Sequence, residues 1–465
     1  MAELRPIPIT HLLRRVLDEP ARQKSLFDLP LRKCWRPSEN PLDLSVDVHG
    51  RRAQTPVGPA AGPHAQLAQN IVLSWLAGSR VIELKTVQIL DELKIPRPCI
   101  DAATIGFNVE WSQELRLHES LREYVAGWLL IRILRHLDPI GLGPIAAAAA
   151  EPVFELSVGY DLKGLQQPAM REYLRRVRDV TPILDELRAE VAKVRPDLAA
   201  LDLRSDLVSC VTLSTFHGCP PGEIEAIGKY LVDEHDVDVI VKLNPTLLGE
   251  DEVTRLLHEQ LGYRDLRPRA SAFEGDLRFD EAIALARRLD RHAAARGRHF
   301  GVKMTNTLVV ENHKTFFGEK EMYLSGEPLH VLAMACVDRF REALGADIPV
   351  SFSGGIDQHN FADAVAHALT VGAGVPQTFL VADDGDMSIA QIVAALRAAE
   401  GHDPRLIRLP VPGAAAVLRA IGKDDLADRL FGNLVVTTAR LTATGWRAPQ
   451  STASGLTEMA RATRP

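Results

Sequence analysis

Eight times along the chain an apolar, β-branched run is followed by a helical pattern, and this repetition constrains the fold more than any other feature. The runs are Pro56–Gly62, Arg80–Val87, Val153–Gly159, Leu207–Ser214, Val237–Pro245, His299–Thr307, Ile348–Gly355 and Val375–Ala382. Helices are expected at Ala65–Ala77, Glu114–Leu137, Pro168–Lys193, Pro221–Asp233, Phe279–Arg296, Glu327–Leu344, Asn360–Val371 and Ser388–Ala399. Such alternation builds a parallel sheet, because a helix must carry the chain back before the next strand can start. Eight units without a Gly-rich phosphate loop after the first strand predict an α/β fold of the (β/α)8 TIM-barrel kind rather than an open sheet.

The flanks follow from the same pattern. Leu44–Val48, the turn His49-Gly50 and Arg51–Gln54 read as a hairpin able to plug the bottom of a barrel. Residues 1–43 are expected to be a surface-wrapping N-terminal arm with one short helical pattern, Ile9 to Leu17. The barrel is assigned to residues 44–400, a helical C-terminal extension around Pro412–Leu430 to 401–446, and a frayed tail to 447–465. A net charge of −7 with no long basic run argues against nucleic acid and acidic membrane surfaces as partners. The start Met-Ala-Glu-Leu-Arg-Pro lacks an apolar segment after a basic one, so a cytoplasmic protein is expected. The apolar stretch Val125 to Leu134 is short and contains Arg132, which disfavours a membrane span. Cys34, Cys99, Cys210, Cys219 and Cys336 form no C-x-x-C pair, so local spacing supplies neither a zinc nor an iron–sulfur centre.

In a barrel of this kind the catalytic face lies at the C-terminal ends of the strands. The first run ends in Ala60-Ala61-Gly62, a bare backbone shelf on which a planar ring can lie. Lys85, Lys242 and Lys303 fall near the ends of three other strands; each alone could be a core ion pair, but together they predict a strongly positive pocket for an anionic ligand. Gly354-Gly355, followed by a helix, offers N–H groups for a phosphate, although alone it is an ordinary turn. The loop Leu213–Pro221 carries Ser214, Thr215, His217 and Cys219. Ser214, Thr215 or Cys219 is a candidate general acid or base, the other reading being a turn with a buried cysteine. His217 and Cys219 are too few donors for a metal site.

The hairpin running into Thr55–Gly62, the Lys85-Thr86 strand end, Val241-Lys242-Leu243 and Ser353-Gly354-Gly355-Ile356 resemble the dihydroorotate and dihydropyrimidine dehydrogenase class of FMN barrels. More narrowly, Gly58–His64 through Gln69-Asn70, Ile82–Leu90, His217–Pro221 and Lys242–Gly249 look like the N-terminal part of the YgfK-like proteins, over about residues 5 to 380. This resemblance implies that Ala60, Ala61 and Gly62 line the isoalloxazine of FMN, that Lys85 and Thr86 touch it, and that Lys242 sits near its N1 and O2. It also implies that Gly354 and Gly355 bind the phosphate, that Ser214, Thr215 or Cys219 is the base, and that Asn108 and Asn306 hold substrate.

Two departures shape the expectation. Val211-Thr212-Leu213 stands where the pyrimidine enzymes have an Asn, which argues against orotate or uracil, and Pro376–Asp384 lacks the Gly and hydroxyl pattern of the phosphate seat's second half. The YgfK-like proteins continue into a part with iron–sulfur, FAD and NADPH sites, and this chain stops first. The resemblance therefore implies an FMN-dependent oxidoreductase subunit that passes hydride between flavin and a small unsaturated or heterocyclic substrate. Its electrons would be exchanged through a separate iron–sulfur/FAD/NAD(P)H partner, with homo-oligomerisation left open. The alternatives are a non-catalytic barrel scaffold in a redox complex, or a Schiff-base lyase using Lys85 or Lys242.

Overall fold

The computed structural model describes residues 4–36, 43–62, 65–85, 98–103, 105–109, 115–142, 151–215, 219–345, 347–357, 360–365 and 389–399, with positions 401, 403 and 419. Six parallel strands lie side by side in chain order and form a curled half-barrel wall. By the ordinals of the expected barrel they are the second, Val81–Leu84; third, Val153–Val158; fourth, Cys210–Ser214; fifth, Asp238–Leu243; sixth, Phe300–Met304; and seventh, Val350–Phe352. A spatial order equal to the sequence order is what a (β/α)8 wall requires, and the chain is an α/β protein of TIM-barrel type.

The expected first strand forms no ladder, but it lies against the second. Val57 O accepts the N–H groups of Arg80 at 2.8 Å and Val81 at 3.1 Å, and Pro59 O accepts that of Glu83 at 3.2 Å. The approach is close enough that a Cβ on Gly58 would stand 1.2 Å from the Val81 carbonyl oxygen, so glycine is obligatory there. The eighth strand, Thr86, His217, nearly all of Pro412–Leu430 and the tail lie outside the described residues.

Each strand alternates between two environments. Phe154 stacks edge-to-face on Trp128 of the helix Leu117–Leu137, and Ile82, Leu156, Val211, Val241 and Val302 join it in one buried apolar cluster. The register pairs the intervening residues: Glu83 beside Glu155, Glu155 beside Cys210, Cys210 beside Asp238, and Lys242 beside both Ser214 and Lys303. Paired residues share a face, so these polar side chains face the lumen while the apolar ones face the helices.

Where they are described, the helices agree with the expectation except in two places; Asn360–Val371 lies partly outside the described residues. Pro168–Lys193 is two helices, Pro168–Arg178 and Thr181–Ala192, because Asp179 turns the chain and accepts the Thr181 N–H while Pro182 opens the second helix. The arm's helix runs from Ile9 to Gln23 and buries Ile9, Leu12, Leu13 and Val16 in the core, so this part of the arm is packed in place. The hairpin forms as Val46–Val48 paired with Arg51–Ala53. A small antiparallel sheet was not foreseen: Ile100–Asp101, Phe107–Asn108, Glu321–Leu324 and Leu308–Glu311, the last leaving the end of the sixth strand. Contacts divide the chain into Met1–Pro376 and Gln377–Pro465; the described helix of the latter is Ile389–Ala399. Among the described residues no helix is long and apolar enough to cross a membrane.

Candidate active site

Inside the lumen Lys303 Nζ lies 3.1 Å from Glu83 Oε2 and 3.1 Å from Glu155 Oε2, with all three residues buried. Glu83 Oε2 also accepts the Ala61 N–H at 2.8 Å, which ties the Ala60–Gly62 shelf to this ion triad. Burial alone would raise the Glu83 carboxyl, but Lys303, Lys242 and the Ala61 N–H overcome it and hold its pKa at about 2. Burial likewise opposes charge on Lys303, and the two glutamates reverse that and raise its pKa. Lys242 goes the other way: desolvation lowers its pKa, helped by Lys303 and opposed by Glu83 and Glu155.

The expected pocket of three converging lysines is therefore corrected. Lys303 is neutralised by two carboxylates that the sequence reading passed over, while Lys242 stands on the same face one strand away. Lys85 is half-buried at the end of the second strand, and its carbonyl accepts the Tyr124 hydroxyl at 3.0 Å.

At the ends of the fourth, fifth and sixth strands, Asn306 gathers the loop candidates. Ser214 Oγ donates to Asn306 Oδ1 at 2.9 Å, and Asn306 Nδ2 donates to Thr215 O at 3.0 Å and Asn244 Oδ1 at 2.9 Å. Thr215 Oγ1 donates to Lys242 O at 2.8 Å. Asn306 is thus engaged by the protein through both ends of its amide, and it positions Ser214 and Thr215 beside the Lys242 backbone. Thr215 and Cys219 line a cavity of about 10 Å³, near the room one water needs, together with Asn244, Thr246 and Asp276. Asp276 Oδ2 accepts from Asn244 at 3.0 Å and Thr246 at 2.7 Å. Burial, then Glu223 and Asp276, push the Cys219 thiol up to about 12, so at neutral pH it carries its proton.

Gly354 and Gly355 both have left-handed backbones, with φ of 105° and 61°. A Cβ on Gly355 would come within 2.6 Å of Gly326 O, so the turn is pressed against the start of the helix Glu327–Leu344. Asn360 Nδ2 donates to Gly355 O at 2.9 Å and its Oδ1 accepts the Asp357 N–H at 2.8 Å, which fixes the turn from the other side. Asn108 is buried in the small sheet; its Nδ2 donates to Val109 O, while its Oδ1 has no partner among the described residues. The same holds for Thr305 Oγ1 and Ser351 Oγ on the sixth and seventh units.

The residues that sequence reasoning missed are Glu83, Glu155, Asn244 and Asp276. Ile82-Glu83-Leu84 and Phe154-Glu155-Leu156-Ser157 carry a period-two signal that marks the two glutamates as lumen residues. No comparable signal marks Asp276, which meets the site from a loop.

A model of the family described as oxidoreductase YgfK, N-terminal TIM-barrel domain, matches residues 27–410. The YgfK protein of Escherichia coli (strain K12) is 39% identical over 380 residues, covering 77% of this chain and 36% of that protein. Its counterpart in Escherichia coli O157:H7 gives the same figures. The chain thus spans about a third of the length of the curated relatives it matches. A solved structure of ligand-free DHODH from Eimeria tenella aligns with 74% of this chain and 88% of its own, at 15% identity and a TM-score of 0.42.

Proposed function

The chain belongs to the family of YgfK oxidoreductase N-terminal TIM-barrel domains, and from that premise we propose that it is an FMN-dependent oxidoreductase unit acting on a small unsaturated or heterocyclic substrate. The observation that carries this reading is the Ala60–Gly62 shelf, pinned through Glu83 to Lys303 at the edge of a polar lumen. The residues present fit a flat, polar group with both donors and acceptors: Thr305 Oγ1, Ser351 Oγ and Asn108 Oδ1 are buried without partners among the described residues, and each such atom is costly unless a ligand or water satisfies it.

Ala60, Ala61 and Gly62 would carry the ring, with Lys85, Thr86 and Lys242 around it and Gly354-Gly355 taking the phosphate. When bound there, FMN would supply two-electron hydride chemistry. The chain's own part is positioning and proton handling. Lys242, its ammonium disfavoured by burial, gains from meeting an anion. Asn306 holds the Ser214 hydroxyl and the Thr215 carbonyl, while Asn108 Oδ1 can accept from a substrate N–H or O–H. Cys219 Sγ holds its proton at neutral pH and so enters as an acid, beside a cavity close to the size of one water. Electrons would pass to a separate iron–sulfur/FAD/NAD(P)H partner, and the protein would act in the cytoplasm.

The test is direct. The purified chain, supplied with FMN and freed of excess, is expected to retain about one flavin, with Lys242→Met binding it about tenfold or more weakly. A folded chain that retains none overturns the proposal.

A further inference from the structure

Towards the N-terminal ends of the strands, three side chains from three elements converge. His49 is the tip of the Val46–Ala53 hairpin, Glu155 lies in the third strand, and Cys210 opens the fourth. One donor atom from each, a ring nitrogen, a carboxylate oxygen and Sγ, all lie within 4.8 Å of one another. We propose that His49, Glu155 and Cys210 form a divalent-metal site at the base of the barrel, with the donor chemistry of zinc.

The hairpin is shaped to deliver its histidine. His49 has φ 48° and Gly50 φ 69°, a turn that points the tip inward, and Gly301 faces it without a side chain. A Cβ on Gly301 would stand 3.5 Å from His49 Cε1, so the imidazole lies directly against the glycine. The second observation is that His49 Nδ1 is buried and has no hydrogen-bond partner among the described residues. A buried ring nitrogen left unpaired is costly, and metal coordination is one of the few ways to satisfy it beside a carboxylate and a thiol.

Charge points the same way. Three buried carboxylates, Glu83, Glu155 and Asp238, share this lumen with the ammoniums of Lys242 and Lys303. Three carboxylates against two ammoniums leave one negative charge over. A divalent ion that displaces the Cys210 proton adds a single positive charge and removes that excess. Lys303 uses Glu155 Oε2, which leaves the second carboxylate oxygen for the metal. Imidazole, thiolate and carboxylate are the borderline-soft set that Zn²⁺ takes, with a water completing four-coordination. Set towards the N-terminal ends of the strands, the ion would staple the hairpin plug to the barrel wall and share Glu155 with the Lys303–Glu83 triad beneath the shelf.

The chain is stripped with chelator, confirmed folded by circular dichroism, and dialysed against Zn²⁺ and separately Co²⁺. One zinc per chain is expected, together with a rise in melting temperature and, with cobalt, a thiolate-to-metal charge-transfer band. His49→Ala should weaken zinc binding about tenfold or more, and Cys210→Ser should also abolish the cobalt band. A folded wild type that binds no zinc overturns the site, as does binding that both variants leave undiminished. If a variant does not fold, the cobalt band of the wild type decides whether a thiolate is a ligand. None of these readouts involves flavin, so they succeed or fail independently of the proposed activity.

Discussion

Glu155 and Leu156 are neighbours in one strand and both are buried, yet they live by different rules. Leu156 packs among helix side chains in a continuous apolar cluster, where partners are numerous and interchangeable. Glu155 faces a lumen in which Lys303 is shared with Glu83, and where Thr212 Oγ1 and Glu83 Oε1 have no partner among the described residues. Barrel interiors are ordinarily filled by layers of branched apolar residues, which make the most stable filling. An ionic interior costs stability, so here this barrel departs from the ordinary filling. The outer face should therefore answer substitution through volume alone, and the inner face through charge and pH.

The sharpest test of that contrast is Lys303→Met, which keeps volume and leaves two buried carboxylates facing each other. A loss of about 3–5 kcal/mol at pH 7 is expected. Its pH dependence carries the argument. In the wild type the Glu83 carboxyl titrates at about 2, below its ordinary 4.5, so its contribution is complete above pH 4.5 and fades as the pH falls towards 2. Lys303 is raised above its ordinary 10.5, so its share is complete below that value and is lost only as the pH rises through the folded value. In the variant the carboxylates are the liability, and acid relieves them by protonation. Denaturant unfolding at pH 7 and pH 4 should show a deficit that shrinks in acid, and a deficit independent of pH would break the comparison.

Leu156→Ala probes the other face. A loss of about 3 kcal/mol is expected from transfer and cavity terms, with no change between pH 4 and pH 7. A pH-dependent loss would mean that the two faces are coupled through the strand and cannot be treated apart.

The alternation that separates the faces was legible in the sequence, and with it the order of the strands. Their lengths were not: Leu207–Ser214 is expected as a strand, but the ladder begins only at Cys210. The small antiparallel sheet escaped notice because Ile100–Asp101 and Phe107–Asn108 are two-residue strands, too short to show a period; they pair with each other, and Phe107–Asn108 pairs in turn with Glu321–Leu324 far along the chain. The lysines were found as odd residues in apolar runs, but their partners were not. Whether Lys303 meets an anionic ligand or two glutamates depends on contacts across 148 positions in sequence to Glu155 and still more to Glu83, which no local pattern encodes. Asn306 was singled out from its resemblance, whereas its bonds to Ser214, Thr215 and Asn244 depend on three strand ends meeting.

The smallest effect is expected at Thr212, on the lumen face between Cys210 and Ser214. Its hydroxyl is fully buried, and Oγ1 has no partner among the described residues. Thr212→Val keeps the shape and removes that oxygen. If the inner face is maintained by its own ion pairs, the exchange relieves a desolvated polar group and should stabilise the chain by about 1 kcal/mol. If instead the lumen holds ordered water that the hydroxyl helps to bind, the same change should destabilise by a similar amount. The sign of a small number, read as a shift in the denaturation midpoint at constant slope, therefore separates a dry ionic core from a wet one, and only a wet one could carry protons along the barrel between its base and its shelf.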